Sequence, residues 1–322
     1  MIHQFKPSLY YFTFGPNEPA LKIKSGDTIV TTTVDARGFN EHMEPIPAEM
    51  KQKSEGVTFY EGNPLVGPFF VEDAEPGDAL KIEIKSIRPN RETAWSTIRP
   101  HFGSLTEEVP GRMLLLNEAL PHRRFVWKLD LQRNIGILKL SESELQKVEV
   151  PLDPFIGSIG VAPPYGRVEP ASTPGEYGGN MDCVETRQGT ILYLPVFVPG
   201  AYLAFGDVHA AQGDGELCGT ALEVSAEVTV KIDVIKDWTI SWPRLEDDEY
   251  IMVAGSSRPL MEAFKIAHVE LLEWLVSDYG FEKWEALQVI SQVGRCRIGN
   301  VVDPNYTVVA KFPKVCLPNK TK

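Results

Sequence analysis

The sequence predicts a mainly β protein: an antiparallel β-sandwich or jelly-roll-like body over residues 1–235, with a smaller C-terminal α+β unit over 236–322. Three observations carry that prediction. Short segments alternate apolar and polar residues around glycine turns, 26 glycines and 25 prolines occur without a fixed repeat, and helical periodicity starts only after residue 256.

Residues 19–34 alternate on both sides of Ser25-Gly26-Asp27, which predicts a strand, a turn and a second strand. The device returns at 69–87, where Glu75-Pro76-Gly77-Asp78 leads into Leu80, Ile82 and Ile84 on one face, and again at 188–198. Asp35 opens a long aperiodic loop that reaches Asn63, and an aspartate just past a strand reads both as a turn former and as a candidate site residue. Further on, a strand is predicted over Trp95 to His101, a short apolar segment at 112–117, and a hairpin from Phe125–Asp130 and Ile135–Leu140. The Gly/Pro-spaced apolar run from Asp153 to Pro164 has few side chains, so backbone there must pass close to another group. Val224, Ala226, Val228, Val230 and Ile232 alternate with polar residues as a half-exposed strand. One helix is predicted from Ser257-Arg-Pro-Leu, with Leu260, Phe264, His268, Leu271 and Leu275 in register and Gly280 as its stop. A second spans about Glu282 to Val293 with Trp284, Leu287 and Ile290 inward, and a strand at Tyr306–Phe312 closes the chain.

A formal net charge of -12 argues against a nucleic-acid backbone or an anionic membrane as partner and leaves a small neutral substrate compatible. The first residues lack a basic-then-apolar run, and no apolar stretch approaches the ~18 residues of a membrane span, so the expected location is the cytoplasm. Four cysteines without a Cys-x-x-Cys pair read as reduced thiols.

The chemistry concentrates between Tyr177 and Glu223, which holds eight glycines, Asp182, Asp207, Asp214, His209, Gln212 and Glu216. Asp207 and His209, two apart at the end of a strand from Tyr202, leave it on one face and suit one divalent cation. Gln212-Gly-Asp-Gly-Glu216 is an anion-rich turn, unfavourable in a pocket without a cation and otherwise a solvated hairpin. Asn180 and Asp182 are again two apart, next to Cys183. A nitrilase-type role for Cys183 needs a glutamate and a lysine, and lysine is absent from 148–230, which favours Cys183 as a structural neighbour. His101 is a candidate further ligand or a surface histidine, and His268 a core-edge histidine.

Gly178-Gly-Asn-Met-Asp-Cys, Leu194-Pro-Val-Phe-Val-Pro-Gly, Gly206-Asp-Val-His-Ala-Ala-Gln-Gly-Asp-Gly-Glu, Phe155-Ile-Gly-Ser-Ile-Gly-Val-Ala-Pro and Asn63-Pro-Leu-Val-Gly-Pro occur in the expected order for the acetamidase/formamidase family, which the sequence resembles over about residues 20–312. One departure is Tyr10-Tyr11, where that family often carries His-x-x-Trp. The resemblance implies hydrolysis of a small linear amide to a carboxylic acid and ammonia by a homo-oligomer, a dimer or higher. It places metal-linked positions on Asp182, Asp207, His209 and Glu216, with Asp35 as a further candidate. The implied cofactor is a divalent ion, Zn²⁺ first and Ca²⁺ or another ion as alternatives, with Glu216 or Asp182 moving the proton and Asn180 or glycine N–H groups holding the oxyanion. Two other readings stand beside it: a metal-dependent hydrolase of another C–N or C–O bond, and a non-catalytic metal- or sugar-binding sandwich module.

Overall fold

Alternation places one row of each predicted strand toward a shared core, and the chain satisfies it with stacked sheets. A computed structural model describes residues 1–52, 61–105 and 120–318. The expected segment at 112–117 lies outside these residues, as do residues 53–60 of the long loop.

Nine strands form the largest sheet, in the order Ile2–Gln4, Asp27–Thr33, Ala226–Ile235, Ala79–Pro89, Ile191–Pro195, Arg244–Glu246, Tyr250–Ser257, Tyr306–Pro313 and Arg295–Asn300. A six-stranded sheet runs Pro174–Gly175, Gly178–Asn180, Phe155–Gly160, Leu203–His209, Leu65–Val71 and Leu21–Ile23. Ile29, Ile82 and Val228 of the first sheet share one core with Phe69, Ile156 and Phe205 of the second, which makes the body a sandwich. The strands flanking Ser25-Gly26 form as predicted but go to different sheets, as do Leu65–Val71 and Ala79–Pro89. The glycine turns are therefore corners between layers. Leu21–Ile23 pairs in parallel with Leu65–Val71, and Ile2–Gln4 in parallel with Asp27–Thr33, within an otherwise antiparallel arrangement. The hairpin of Arg123–Asp130 and Ile135–Leu140 forms and belongs to a four-stranded sheet with Thr93–Ile98 and Gln146–Pro151.

The nine-stranded sheet runs without a break past residue 235, since Ile191–Pro195 pairs with Arg244–Glu246. Its far end is covered on both faces: Met252 and Ala254 point into the sandwich core, while Ile251 and Val253 pack under the helices. That double burial gives a continuous apolar run without alternation, which is why the Tyr250–Ser257 strand is not evident from periodicity.

Helix α1 spans Leu260–Tyr279 and ends on Gly280 at φ 72°, as predicted. Its start differs: Pro259 occupies the cap position, and Ser257 makes no capping hydrogen bond. The buried face also differs. Ala263 and Ala267 lie against Gly255, where an added Cβ would come within 2.7 Å of their backbone, so the small residues face the sheet and Phe264 turns outward at 41% exposure. In α2, Lys283–Val293, Glu282 caps the N–H groups of Trp284 and Glu285, while Ala286 and Ile290 point inward. Trp284 and Leu287, expected inside, are 67% and 47% exposed.

Candidate active site

The site gathers where the strand Leu203–His209 meets its neighbours in the six-stranded sheet. Asp207 takes the left-handed backbone at φ 55°, as do Asn63, Asp182 and Glu216 at 53°, 45° and 48°, a conformation rare outside glycine and concentrated at functional positions. Opposite Asp207 the ladder skips Gly157, where a Cβ would meet the Asp207 carbonyl at 2.8 Å and Asp182 Oδ1 at 2.9 Å. The close backbone approach expected in the 153–164 run is this one, and it brings both aspartates to one point.

Each carboxylate is half anchored. Asp207 Oδ2 accepts from Asn63 Nδ2 at 2.8 Å and from Ser158 Oγ at 3.3 Å, and Glu223 Oε1 accepts from the Ala221 N–H at 3.1 Å. Asp207 Oδ1 and Glu223 Oε2 are buried with no hydrogen-bond partner, and each lies 3.4 Å from His209 Nε2. The orientation of Gln212 fixes the imidazole between them. Gln212 Nε2 donates to the carbonyls of Asp182 and Gly299, both at 3.0 Å, so its Oε1 faces His209 Nδ1 at 2.9 Å and accepts the proton there. In the neutral imidazole this arrangement puts the lone pair on Nε2, which faces two bare carboxylate oxygens. Phe155 packs edge-on to the ring at 5.1 Å and holds its plane.

Asp182 Oδ1 is a third orphaned oxygen, 4.0 Å from His209 Nδ1, while its Oδ2 accepts from Asn180 Nδ2 at 3.2 Å. Asn180 also donates to Asp303 Oδ2 at 2.7 Å and accepts from Asn63 and Ser158, so both its amide hydrogens are committed to carboxylates. Two ligand groups follow from proximity, Asp207–His209–Glu223 and Asp182–His209–Glu216. With Nδ1 engaged by Gln212, the first group holds the free imidazole nitrogen.

Asp182, Asp207, Glu216, Glu223 and Asp303 are all buried around one histidine. Burial pushes Asp182, Glu216 and Glu223 up from their ordinary ranges, with mutual repulsion adding to it, and pushes Asp303 up to about 7 against hydrogen bonds from Asp182 and Asn180. For His209, burial works against the charge, but Glu223 and Asp207 pull it well above its ordinary value. Carboxylates buried this closely are unfavourable without positive charge, and the unpartnered oxygens beside the imidazole form a ligand set that could hold a divalent cation. These residues open on a cavity of about 560 Å³ lined by Asn180, Asp207, His209, Glu216, Glu223 and Asp303 among others.

The structure thus brings together Asn180, Asp182, Asp207, His209 and Glu216. Asp35 stands outside the group. Its four hydrogen bonds come from Arg91 Nη2 at 2.7 Å, Trp95 Nε1 at 2.8 Å and the N–H groups of Arg37 and Phe39, and leave no oxygen bare. The Gln212–Glu216 turn divides: Gln212 and Glu216 face in, while exposed Asp214 pairs with Arg297 at 2.6 Å. His101 is exposed, at φ 58°, and does not line the cavity. Glu223 and Asp303 carry no motif of their own: Glu223 sits alone at a strand entry, and Asp303 reads as the turn Asp303-Pro-Asn.

Cys183 does meet a glutamate and a lysine: its thiol donates to Glu185 Oε2 at 3.1 Å, and Glu185 Oε1 binds Lys311 from the far end of the chain. Burial and Glu185 hold the thiol well above its usual pKa, and the fully buried sulfur gives a substrate no approach.

The profile of the Acetamidase/Formamidase family matches residues 14–167 and 167–317. The chain belongs to that family. A solved acetamidase from Yersinia enterocolitica superimposes with a TM-score of 0.84 at 38% identity, over 99% of this chain and 93% of that one. A predicted acetamidase/formamidase from Thermoanaerobacter tengcongensis gives 0.81 at 30% identity, over 98% and 96%. The acetamidase of Mycolicibacterium smegmatis is 28% identical over 220 residues, 53% of each sequence. The chain spans about half the length of the curated relatives it matches.

Proposed function

We propose that this protein hydrolyses the C–N bond of a small amide to a carboxylic acid and ammonia, using a divalent ion held by Asp207, His209 and Glu223. The observation that carries the metal reading is His209 Nε2, on the side of the ring away from the Gln212 contact and facing two buried carboxylate oxygens at 3.4 Å that accept no other hydrogen bond. Family membership supports the amide as substrate. One nitrogen with carboxylate oxygens favours Zn²⁺, which when bound polarises the carbonyl and acidifies water.

The protein's own groups divide the remaining work. Glu216 lines the cavity, and its carboxyl is raised well above its ordinary value by burial, with Asp303 and Glu223 adding to it. Once ionised, as a neighbouring cation would favour, it takes the proton of the attacking water and delivers it to the leaving nitrogen. Asn180, whose hydrogens are spent on Asp182 and Asp303, positions those carboxylates. Asp182 supports the site from beneath, tied to Asn180 and to the Gln212 segment through its carbonyl. The exposed Phe264 and Trp284 faces of α1 and α2 support a homo-oligomer. No helix among the described residues is long and apolar enough to cross a membrane.

Metal analysis coupled to ammonia release from formamide and acetamide tests this reading. Chelation should abolish release and readded metal restore it, and Glu223→Gln should bind metal more weakly. Full activity in metal-free protein would remove the metal from the mechanism, and no ammonia from any amide would end the amidase reading.

A further inference from the structure

The cavity's floor is acidic, but its mouth is not. Arg37, Arg99 and Arg258 line the same cavity as Asp207 and Glu223, in a chain whose net charge is -12. Arg37 and Arg258 are exposed and Arg99 half-buried, whereas the carboxylates are buried, so the guanidinium groups lie on the solvent side. Each lies over a ring: Arg37 over Trp95 at 4.6 Å, Arg99 over Phe102 at 4.0 Å, and Arg258 over Tyr306 at 4.3 Å from guanidinium carbon to ring centroid. Arg258 Nη2 is further tied to the Asp303 carbonyl at 2.9 Å.

Packing over an aromatic ring steadies a guanidinium without using its N–H groups, which stay available to an acceptor. Elsewhere in the chain arginines meet that need with aspartates, as in Arg91–Asp35, Arg187–Asp153 and Arg297–Asp214. Arg37, Arg99 and Arg258 have no such carboxylate among the described residues, and Arg99 Nε is buried without an acceptor. The cavity's volume of about 560 Å³ falls in the ~300–1,000 Å³ range that encloses drug-sized ligands, well beyond what formamide or acetamide fills.

We propose that the substrate is an amide bearing a carboxylate at its far end, such as the monoamide of a short dicarboxylic acid, with the amide on the acidic floor and the carboxylate on the arginines of the mouth. The inference rests on the amidase reading above and narrows it from neutral amides to anionic ones. A carboxylate matches the guanidinium fork with paired hydrogen bonds, and its charge is drawn to the arginines that line the cavity.

The test compares succinamate with pentanamide, a neutral amide of similar length, by kcat/KM for ammonia release from the metal-loaded protein. The expected ratio is about tenfold or more in favour of succinamate, falling toward one in Arg99→Gln and in Arg37→Gln. Because the ratio is taken within one preparation, loss of folded protein in a variant cancels. A wild-type ratio of one or below, or a ratio unchanged in both variants, would overturn the proposal while leaving the amidase reading in place. If neither amide releases ammonia, formamide and acetamide separate the two readings: release from them overturns the proposal alone, and none from them ends the amidase reading, whereupon calorimetric binding of succinate decides the subsite. Binding weakened at least tenfold in Arg99→Gln supports it, and absent or equal binding overturns it.

Discussion

Replacing Gln212 by leucine tests the step on which the metal assignment turns. The side chain makes three hydrogen bonds, at 2.9 Å with His209 Nδ1 and at 3.0 Å each to the carbonyls of Asp182 and Gly299. Leucine fills similar space but supplies neither the acceptor that keeps the proton on Nδ1 nor the donors that orient the acceptor. Loss of such an outer partner of a ligating histidine typically weakens metal binding by about 10–100-fold, equivalent to ~1.4–2.8 kcal/mol. Folding should suffer less, about 1 kcal/mol, because Gln212 is only half-buried and water can reach the freed carbonyls. The two effects separate in the assay: competition with a chelating dye reads affinity, and the thermal midpoint reads stability. Gln212→Glu gives a second check, since its carboxylate still accepts from Nδ1–H but repels both carbonyls. It should recover part of the affinity and none of the stability. Metal affinity in Gln212→Leu within twofold of wild type, whatever happens to stability, would refute the argument that Gln212 sets the free nitrogen.

Cys183→Ala should keep kcat/KM within about threefold while lowering stability by roughly 1–2 kcal/mol, the scale of a lost buried contact. A hundredfold loss of activity in folded, metal-loaded variant would contradict the purely structural role of the Cys183–Glu185–Lys311 cluster. For Asp78, burial alone would raise the carboxyl, but hydrogen bonds from Lys236 Nζ at 2.5 Å and from the N–H groups of Glu75 and Asp237 hold it below its ordinary range. A depressed folded pKa contributes stability that is present above the ordinary aspartate pKa and is lost as pH falls through the folded value. Asp78→Asn should therefore lower the thermal midpoint at pH 7, by the equivalent of about 1.5–3 kcal/mol, with the gap to wild type closing under acid. A gap that widened below pH 4 would contradict this assignment.

Strand positions such as 80–84 and 224–232 were legible because each has one buried face, and period-two alternation is the direct imprint of that burial. The Asp207–His209 pair was legible for the same reason: residues two apart leave a strand together. Neither pattern records which sheet a strand joins. The turns at Gly26 and Gly77 look like links between neighbouring strands and are corners between layers, since local sequence fixes the turn and not the partner. Helix faces failed differently. Periodicity weighs large apolar residues, but α1 approaches Gly255 closely enough that only Ala263 and Ala267 fit beneath it, and this rotates Phe264 into solvent.

By itself the sequence determined a mainly β chain, the stretch where its polar residues concentrate, and five of the residues that converge in the buried cluster. Tertiary structure alone decided that Glu223 faces Asp207 across His209, that Asp303 joins the carboxylates, and that Asp35 belongs to Arg91 and Trp95. Lys311 reaches Glu185 and three arginines ring the cavity for the same reason. These contacts join residues from about fifteen to more than a hundred positions apart, and strand pairing together with the packing of one layer on another brings such side chains within bonding distance.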